Sequence, residues 1–339
     1  MDKIIVPMSY MGSGSSAVTD LLKEYEGINT KNSDFEYVFL YAPDGLFDLE
    51  YKLLYNNNAI RSDEAIKNFR KLMKKLYHYD GWGIANYKDK ISHNFMNVVE
   101  SYLDSIITSK YQGIWYYHQK PSKIAWLMRV IKRIIFKKTT KPKQVQLEMS
   151  MVSSDDFYEK SRKFILNVIK EISYKEENIV LDQLILPHNL NLIDNYKIEG
   201  LLPIIVSRDP RDVFVLNKYF WKPRNQEVPY PTDVKEFCNY YKMMRENEKK
   251  TNTSVLRLKF EDLVLNYEKT KQDIENFIGI ESIHHKAKFK YFNPNISVNN
   301  LQVYNRDIDY LPEVEIIESE LFEYLYDFKN EIISNGDVF

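Results

Sequence analysis

Cysteine is nearly missing from this chain: Cys238 is the only one in 339 residues. A disulfide framework within the chain and a cysteine-based zinc cluster are therefore excluded, and a reducing, cytoplasmic setting is the expectation. Glycine is scarce as well, with 10 residues against an average near ~7%. No sign of charge prevails: 47 Lys and Arg stand against 48 Asp and Glu, for a formal net charge of −1. No global basic field then points to nucleic acid, and any anion site must be local. No uncharged apolar run approaches the ~18 residues needed to span a bilayer. No basic and apolar leader precedes Ile4-Ile5-Val6, so no signal peptide is expected. What is present is ordinary for a globular protein, 44% hydrophobic and 28% charged residues, too apolar for a disordered chain. The wealth of Lys, Ile, Asn and Tyr fits AT-rich coding, as in many bacteria.

The apolar pattern alternates strand-like runs with helical stretches. Residues 3–8, 178–182, 201–207 and 254–260 read as short strands of continuous apolar type. Residues 17–25, 63–79, 92–108, 154–173 and 267–278 carry apolar side chains at helical spacing. Asp209 and Pro210 are an N-cap and first helical residue, Ser153 or Ser154 caps 154–173, and Gly279 is a natural C-terminal stop. A last amphipathic helix is expected from Pro312 to about Phe328. Buried-type strands separated by helices predict an α/β fold: a three-layer parallel sheet in one domain spanning 1–339. A large helical insertion, about 35–175, separates its first two strands, and a C-terminal lid or helix covers about 290–330.

Two of the scarce glycines fall together in Ser9-Tyr10-Met11-Gly12-Ser13-Gly14-Ser15-Ser16-Ala17, between a strand and a helix. Converging backbone N–H groups, the helix dipole and the hydroxyls of Ser13, Ser15 and Ser16 suit a phosphate or sulfate oxyanion. A Gly/Ser turn without a ligand has the same local pattern. A nucleoside-triphosphate loop would carry Gly-Lys-Ser/Thr, yet no lysine lies between Lys3 and Lys23. A second anion element is Arg208, at the carboxyl end of a strand and beside a helix start, where ligands of open α/β sheets bind. Its guanidinium can grip a phosphate with two bonds. Arg211 reads instead as solvated or paired with Asp209 or Asp212.

At these residues the chain resembles the sulfotransferases that use 3′-phosphoadenosine 5′-phosphosulfate (PAPS). The Ser-Gly-Ser-Ser loop, Arg208-Asp209-Pro210-Arg211-Asp212, and Phe260-Glu261-Asp262-Leu263-Val264 before a helix ending at Gly279-Ile280 match in order. The resemblance implies a P-loop-like nucleotide site in which Gly12, Ser13, Gly14, Ser15 and Ser16 hold the 5′-phosphosulfate and Arg208 the 3′-phosphate. Family members place a serine eight residues after that arginine; here the position is Leu216, with Asn217 beside it as a substitute polar contact. Asn300, in Ser297-Val298-Asn299-Asn300, would belong to a late loop closing over the 3′-phosphate. Many members carry a basic residue where this chain has Gly12, so charge stabilisation must come from elsewhere. Glu261 and Asp262 read as helix N-terminal charges.

Sulfuryl transfer needs in-line positioning, charge stabilisation and a base for the acceptor hydroxyl. Asp182, at the end of a strand, ranks first as the base and His188 second. Gln183 and His118 are candidate substrate contacts. No metal site is assigned. The acceptor is expected to be an alcohol, of a carbohydrate or glycolipid before a sterol. A P-loop kinase with Asp182 on magnesium, and a non-catalytic nucleotide- or glycan-binding protein, are the alternatives. Residues 124–138 form a basic amphipathic segment, of the kind that packs with a solvated edge, lies on an anionic membrane at its inner face, or binds an anionic glycan.

Overall fold

A computed structural model describes residues 3–330 and 332, except 11, 34, 80, 82, 83, 115–122, 137–143 and 174–177. Strand β1 (Ile4–Ser9) leads into helix α1 (Ser15–Leu22) and then a two-residue edge strand, β2 (Ile28–Asn29). The chain next leaves the sheet for α2 (Ala59–Tyr77) and α3 (Phe95–Ile106). A hairpin follows, β3 (Ser109–Gly113) paired with β4 (Val145–Met149), with α4 (Lys123–Phe136) between its strands. Helix α5 (Ser154–Ile172) brings the chain back to β5 (Asn178–Val180) and β6 (Leu201–Ser207). Then come α6 (Pro210–Val215), α7 (Val234–Glu246), β7 (Leu256–Lys259), α8 (Tyr267–Ile278) and α9 (Leu311–Glu320).

The local signals act as expected where they are strongest. Ser153 Oγ accepts from Asp156 N at 3.2 Å, Asp209 Oδ1 accepts from Arg211 N at 2.9 Å, and Gly279 ends α8 at φ 62°. Each satisfies or terminates an end that would otherwise leave backbone groups without partners. The last helix stops at Glu320 rather than near Phe328, and a short 3-10 turn, Phe322–Tyr324, replaces its end.

Five strands form the parallel sheet in the order β2-β5-β1-β6-β7. The period of two along β1 assigns its faces. Ile4, Val6 and Met8 join Phe69, Phe95, Phe164 and Ile165, so helices α2, α3 and α5 cover one side. Ile5 joins Val18, Leu21, Ile204, Val206, Leu263 and Ile274, so α1 and α8 cover the other. Three layers result, as the apolar strand type requires. A further cluster, including Val213, Phe237, Tyr241 and Ile317, packs α6 against α7 and α9 beyond the β7 edge.

Candidate active site at the carboxyl edge of the sheet

From β1 the chain runs towards the β2 edge, whereas from β6 it runs towards the β7 edge. These two strands are neighbours, paired from Ile4 and Leu201 to Ser9 and Val206. Their carboxyl ends therefore bound a crevice at a topological switch point. The segment Gly12–Ser16 leaves β1 on one side of it and Arg208 leaves β6 on the other. Asp182 follows β5 and Phe260 follows β7, so four chain ends meet along one edge.

The two glycines are required there by space as well as by backbone angle. Gly12 has φ 64°, and a Cβ on it would fall 2.3 Å from Trp221 Cη2. Gly14 has φ 93°, and its Cβ would fall 2.7 Å from Phe260 Cδ2. Gly14 caps α1 in the left-handed region, a conformation that side chains disfavour. The indole of Trp221 thus stands where the resembled family often carries a basic side chain. Ser13 is wholly buried, and its Oγ has no hydrogen-bond partner. The first-turn N–H groups of α1 lack intrahelical acceptors by geometry. Ser15 is buried and near enough to Asp182 for its hydroxyl to lower that carboxyl's pKa, while Ser16 is exposed.

Asp182 is 7% exposed, and its Oδ1 has no partner. Burial first, then the negative charges of Glu36 and Asp20, push its carboxyl up to about 8; the Ser15 hydroxyl and the Gln183 N–H pull the other way. Gln183 sits at φ 53°, its N–H donating to the Pro7 carbonyl at 2.9 Å and its Nε2 to Glu36 Oε1 at 3.2 Å. Burial and then Glu227 raise Glu36 as well. A cavity of about 490 Å³ opens here, lined by Gly12, Glu36, Gln183 and Glu227, with Tyr41 and Trp221 among its apolar walls. His188 is exposed on the short turn Pro187–Asn189 and does not line it; local burial lowers its pKa. His118 lies outside the described residues.

Arg208 is 3% exposed and makes no ion pair at contact distance among the described residues. Its Nη2 donates to the Asn300 carbonyl, its Nε has no partner, and its guanidinium lies 4.8 Å from the Phe260 ring centroid. Burial lowers its pKa against the raising effects of Asp212, Glu261 and Asp209. The Phe260 ring is common ground, touching Arg208 and closing on Gly14. The backbone oxygen of Asn300 thus lies at Arg208, which places this late loop beside the second anion element. Asn217 is buried, with Nδ2 donating to the Tyr230 carbonyl at 3.0 Å and Oδ1 accepting from Tyr230 N at 3.2 Å. The amide's described bonds thus go to that loop and not to Arg208. Arg211 pairs with Asp209 at 2.7 Å and Glu318 at 2.7 Å, as expected.

Two carboxylates brace this edge. Glu261 Oε1 accepts from Asp209 N at 2.8 Å, tying the end of β7 to the cap of α6, a more specific role than a helix-end charge. Asp212 accepts from Gln302 N at 3.0 Å and Tyr304 N at 3.3 Å, holding the late loop on α6. Burial raises Glu261 to about 8 and Asp212 to about 7. Sequence reasoning missed Glu36, Tyr41, Trp221 and Glu227. The one signal that could have pointed to Trp221 is the glycine at position 12, whose absent side chain makes room for a bulky neighbour.

No family model matches the chain, and no curated protein matches it. Among solved structures it is similar to the sulfotransferase domain from the curacin biosynthetic pathway, at TM-score 0.42 and 11% identity over 96% of this chain and 99% of that one. The sulfotransferase domain from the Synechococcus PCC 7002 olefin synthase gives TM-score 0.42 and 11% identity over 96% and 95%. Sulfotransferase STF1 from Mycobacterium tuberculosis H37Rv gives TM-score 0.35 and 13% identity over 94% and 76%.

Proposed function

We propose that this chain is a sulfotransferase that moves a sulfuryl group from PAPS to an acceptor hydroxyl, on a carbohydrate or the sugar of a glycolipid. The observation that carries the reading is a pair of buried donors on either side of the β1–β6 crevice, Ser13 Oγ and Arg208 Nε, that have no partner among the described residues. Buried polar atoms without partners are uncommon and call for a ligand. The serine belongs to a helix-start anion loop and the arginine to a second anion element, with the Phe260 face between them. A donor that carries phosphate on both the 3′ and the 5′ oxygen of its ribose suits two such anion elements. The single domain, with its insertion and C-terminal cover, is part of the same reading.

In this mechanism the N–H groups and hydroxyls of Gly12–Ser16 hold the charge that grows on the leaving phosphate oxygen. Arg208 holds the 3′-phosphate. Asp182, just past the end of β5 and within reach of the Ser15 hydroxyl and the Glu36 charge, takes the proton of the attacking hydroxyl. The new bond joins acceptor oxygen to sulfur as the bond from sulfur to the phosphate oxygen breaks, releasing adenosine 3′,5′-bisphosphate.

A thermal-shift comparison of that bisphosphate with ATP and GTP, each with and without magnesium, tests the reading. At 100 times its dissociation constant a ligand stabilises by ~2.7 kcal/mol. The bisphosphate should do so without metal, and Arg208→Ala should abolish the shift. The nearness of Ser15 to Asp182 also suits a kinase, in which a loop hydroxyl and a strand-end aspartate share magnesium. A shift only with ATP and magnesium would select that reading.

Helix α4 is the proposed membrane contact. No described helix is long and apolar enough to cross a membrane. Ile124, Leu127, Met128, Ile131, Ile134 and Ile135 fall on one face and are exposed, while Lys132 and Arg133 flank it and the helix carries no acid. Apolar area with basic flanks suits an anionic lipid surface. Co-sedimentation with phosphatidylserine vesicles at low salt, lost at high salt and in Lys132→Glu/Arg133→Glu, is the expected result. Absence of pelleting at low salt removes this partner.

A further inference from the structure

The cavity beside Gly12 carries charge of one sign. Its ionisable lining, among the described residues, consists of Glu36, Glu227 and the phenol of Tyr41. Asp182 lies close enough to feel Glu36, and its buried Oδ1 has no partner. Basic residues of the loop that carries Glu227 are engaged elsewhere. Lys222 Nζ donates to Thr232 Oγ1 at 3.1 Å, and the Arg224 guanidinium lies 5.8 Å from the Phe220 ring centroid. Glu36 receives an amide hydrogen bond from Gln183 at 3.2 Å, which is a neutral donor.

Building on the sulfotransferase reading, we infer that the acceptor is cationic: an alcohol bearing a protonated amine, held by Glu36 and Glu227 against the rings of Trp221 and Tyr41 with its hydroxyl towards Asp182. Glu36 is half-buried beside the exposed Glu227, and a positive charge between them would relieve the burial and the repulsion that raise Glu36. A donor bound at the adjoining loop adds phosphate charge on the same side and increases the need. Aromatic faces add attraction for an ammonium and none for an anion. A uronate or a previously sulfated sugar would be repelled, and a neutral sugar would leave both acids unopposed.

The test is calorimetric binding of glucosamine, N-acetylglucosamine and glucose to the full chain in near-neutral buffer, where carboxylates and the amine carry charge together, with and without adenosine 3′,5′-bisphosphate. N-acetylation keeps the ring and its hydroxyls but removes the charge. Glucosamine should bind on the order of tenfold tighter than either neutral sugar. The advantage should shrink as salt rises and vanish in Glu227→Gln, a conservative change on an exposed loop. Glu36→Gln should reduce it as well. Equal binding of the three sugars, failure of glucosamine to bind, or an advantage that survives both variants would overturn the inference. Bisphosphate binding without an amine preference would leave the sulfotransferase reading standing and remove only this inference. An amine preference without bisphosphate binding would do the reverse.

Discussion

Replacing Gly12 by alanine should disturb the fold and the acceptor cavity through one contact, and the two contributions can be separated. At φ 64° an alanine is in the left-handed region, which costs roughly 1–2 kcal/mol. Its Cβ would stand 2.3 Å from Trp221 Cη2, whereas carbon atoms settle at about 3.5–4.0 Å. The indole must therefore move by roughly 1.2 Å or more, and forcing a packed side chain aside costs about 1–3 kcal/mol. Gly12→Ala should then destabilise by about 2–5 kcal/mol in urea unfolding. In a Trp221→Ala background the collision is gone and only the backbone cost of about 1–2 kcal/mol remains. The double-mutant cycle should show a coupling of at least ~1 kcal/mol. Because the indole also walls the cavity, Gly12→Ala should raise the acceptor KM more than it changes bisphosphate affinity. Additive effects, within the ~0.3–0.5 kcal/mol expected for independent sites, would refute the claim that Trp221 fills the place of the side chain at position 12.

With Asp182 as base, kcat/KM should climb through a midpoint near its raised value of about 8; Asp182→Asn should remove that limb and cost ~10²–10⁴-fold in rate. The same group makes the folded chain less stable as pH rises. Between its ordinary 3.8 and about 8 the unfolded chain has released a proton that the folded chain keeps, so stability falls over that window. Urea unfolding at several pH values should show Asp182→Asn to be less sensitive there than the wild type. Asn217→Ala should cost about 1–3 kcal/mol, leaving Tyr230 backbone groups without partners, while bisphosphate affinity measured by calorimetry stays within about twofold; a large affinity loss would place Asn217 at the donor site.

The sheet was legible where apolar runs were long enough to show a period and where caps marked the ends. Strands β1 and β6, the Asp209 cap and the Gly279 stop all lie where the residues place them. Edge strand β2 has two residues, too short for any alternation. Hairpin strand β3 is mostly exposed and polar, so it carries no core signal. Helix α7 begins at Asp233, whose side chain accepts from Lys235 and Glu236 N, a cap that sequence reading passed over. The anion loop and Arg208 were legible because their chemistry is local. The acid-lined cavity was not: Glu36 and Glu227 lie far apart in sequence and meet only through folding. The bonds of Asn217 to the Tyr230 backbone were not legible either, because Leu216–Trp221 is a π-helical stretch, where Lys222 N reaches back five residues to the Asn217 carbonyl. That wider turn changes which way each side chain faces.

The guanidinium at the end of β6 already holds a partner, the carbonyl of Asn300. An incoming phosphate would be an addition rather than an exchange, because Nε has no partner among the described residues while Nη2 keeps its carbonyl. With Asp212 gripping Gln302 and Tyr304 just downstream, one guanidinium would then join ligand and loop. Occupancy of this pocket should therefore slow hydrogen exchange around residue 300, a sharply bounded, ligand-dependent mark on the chain.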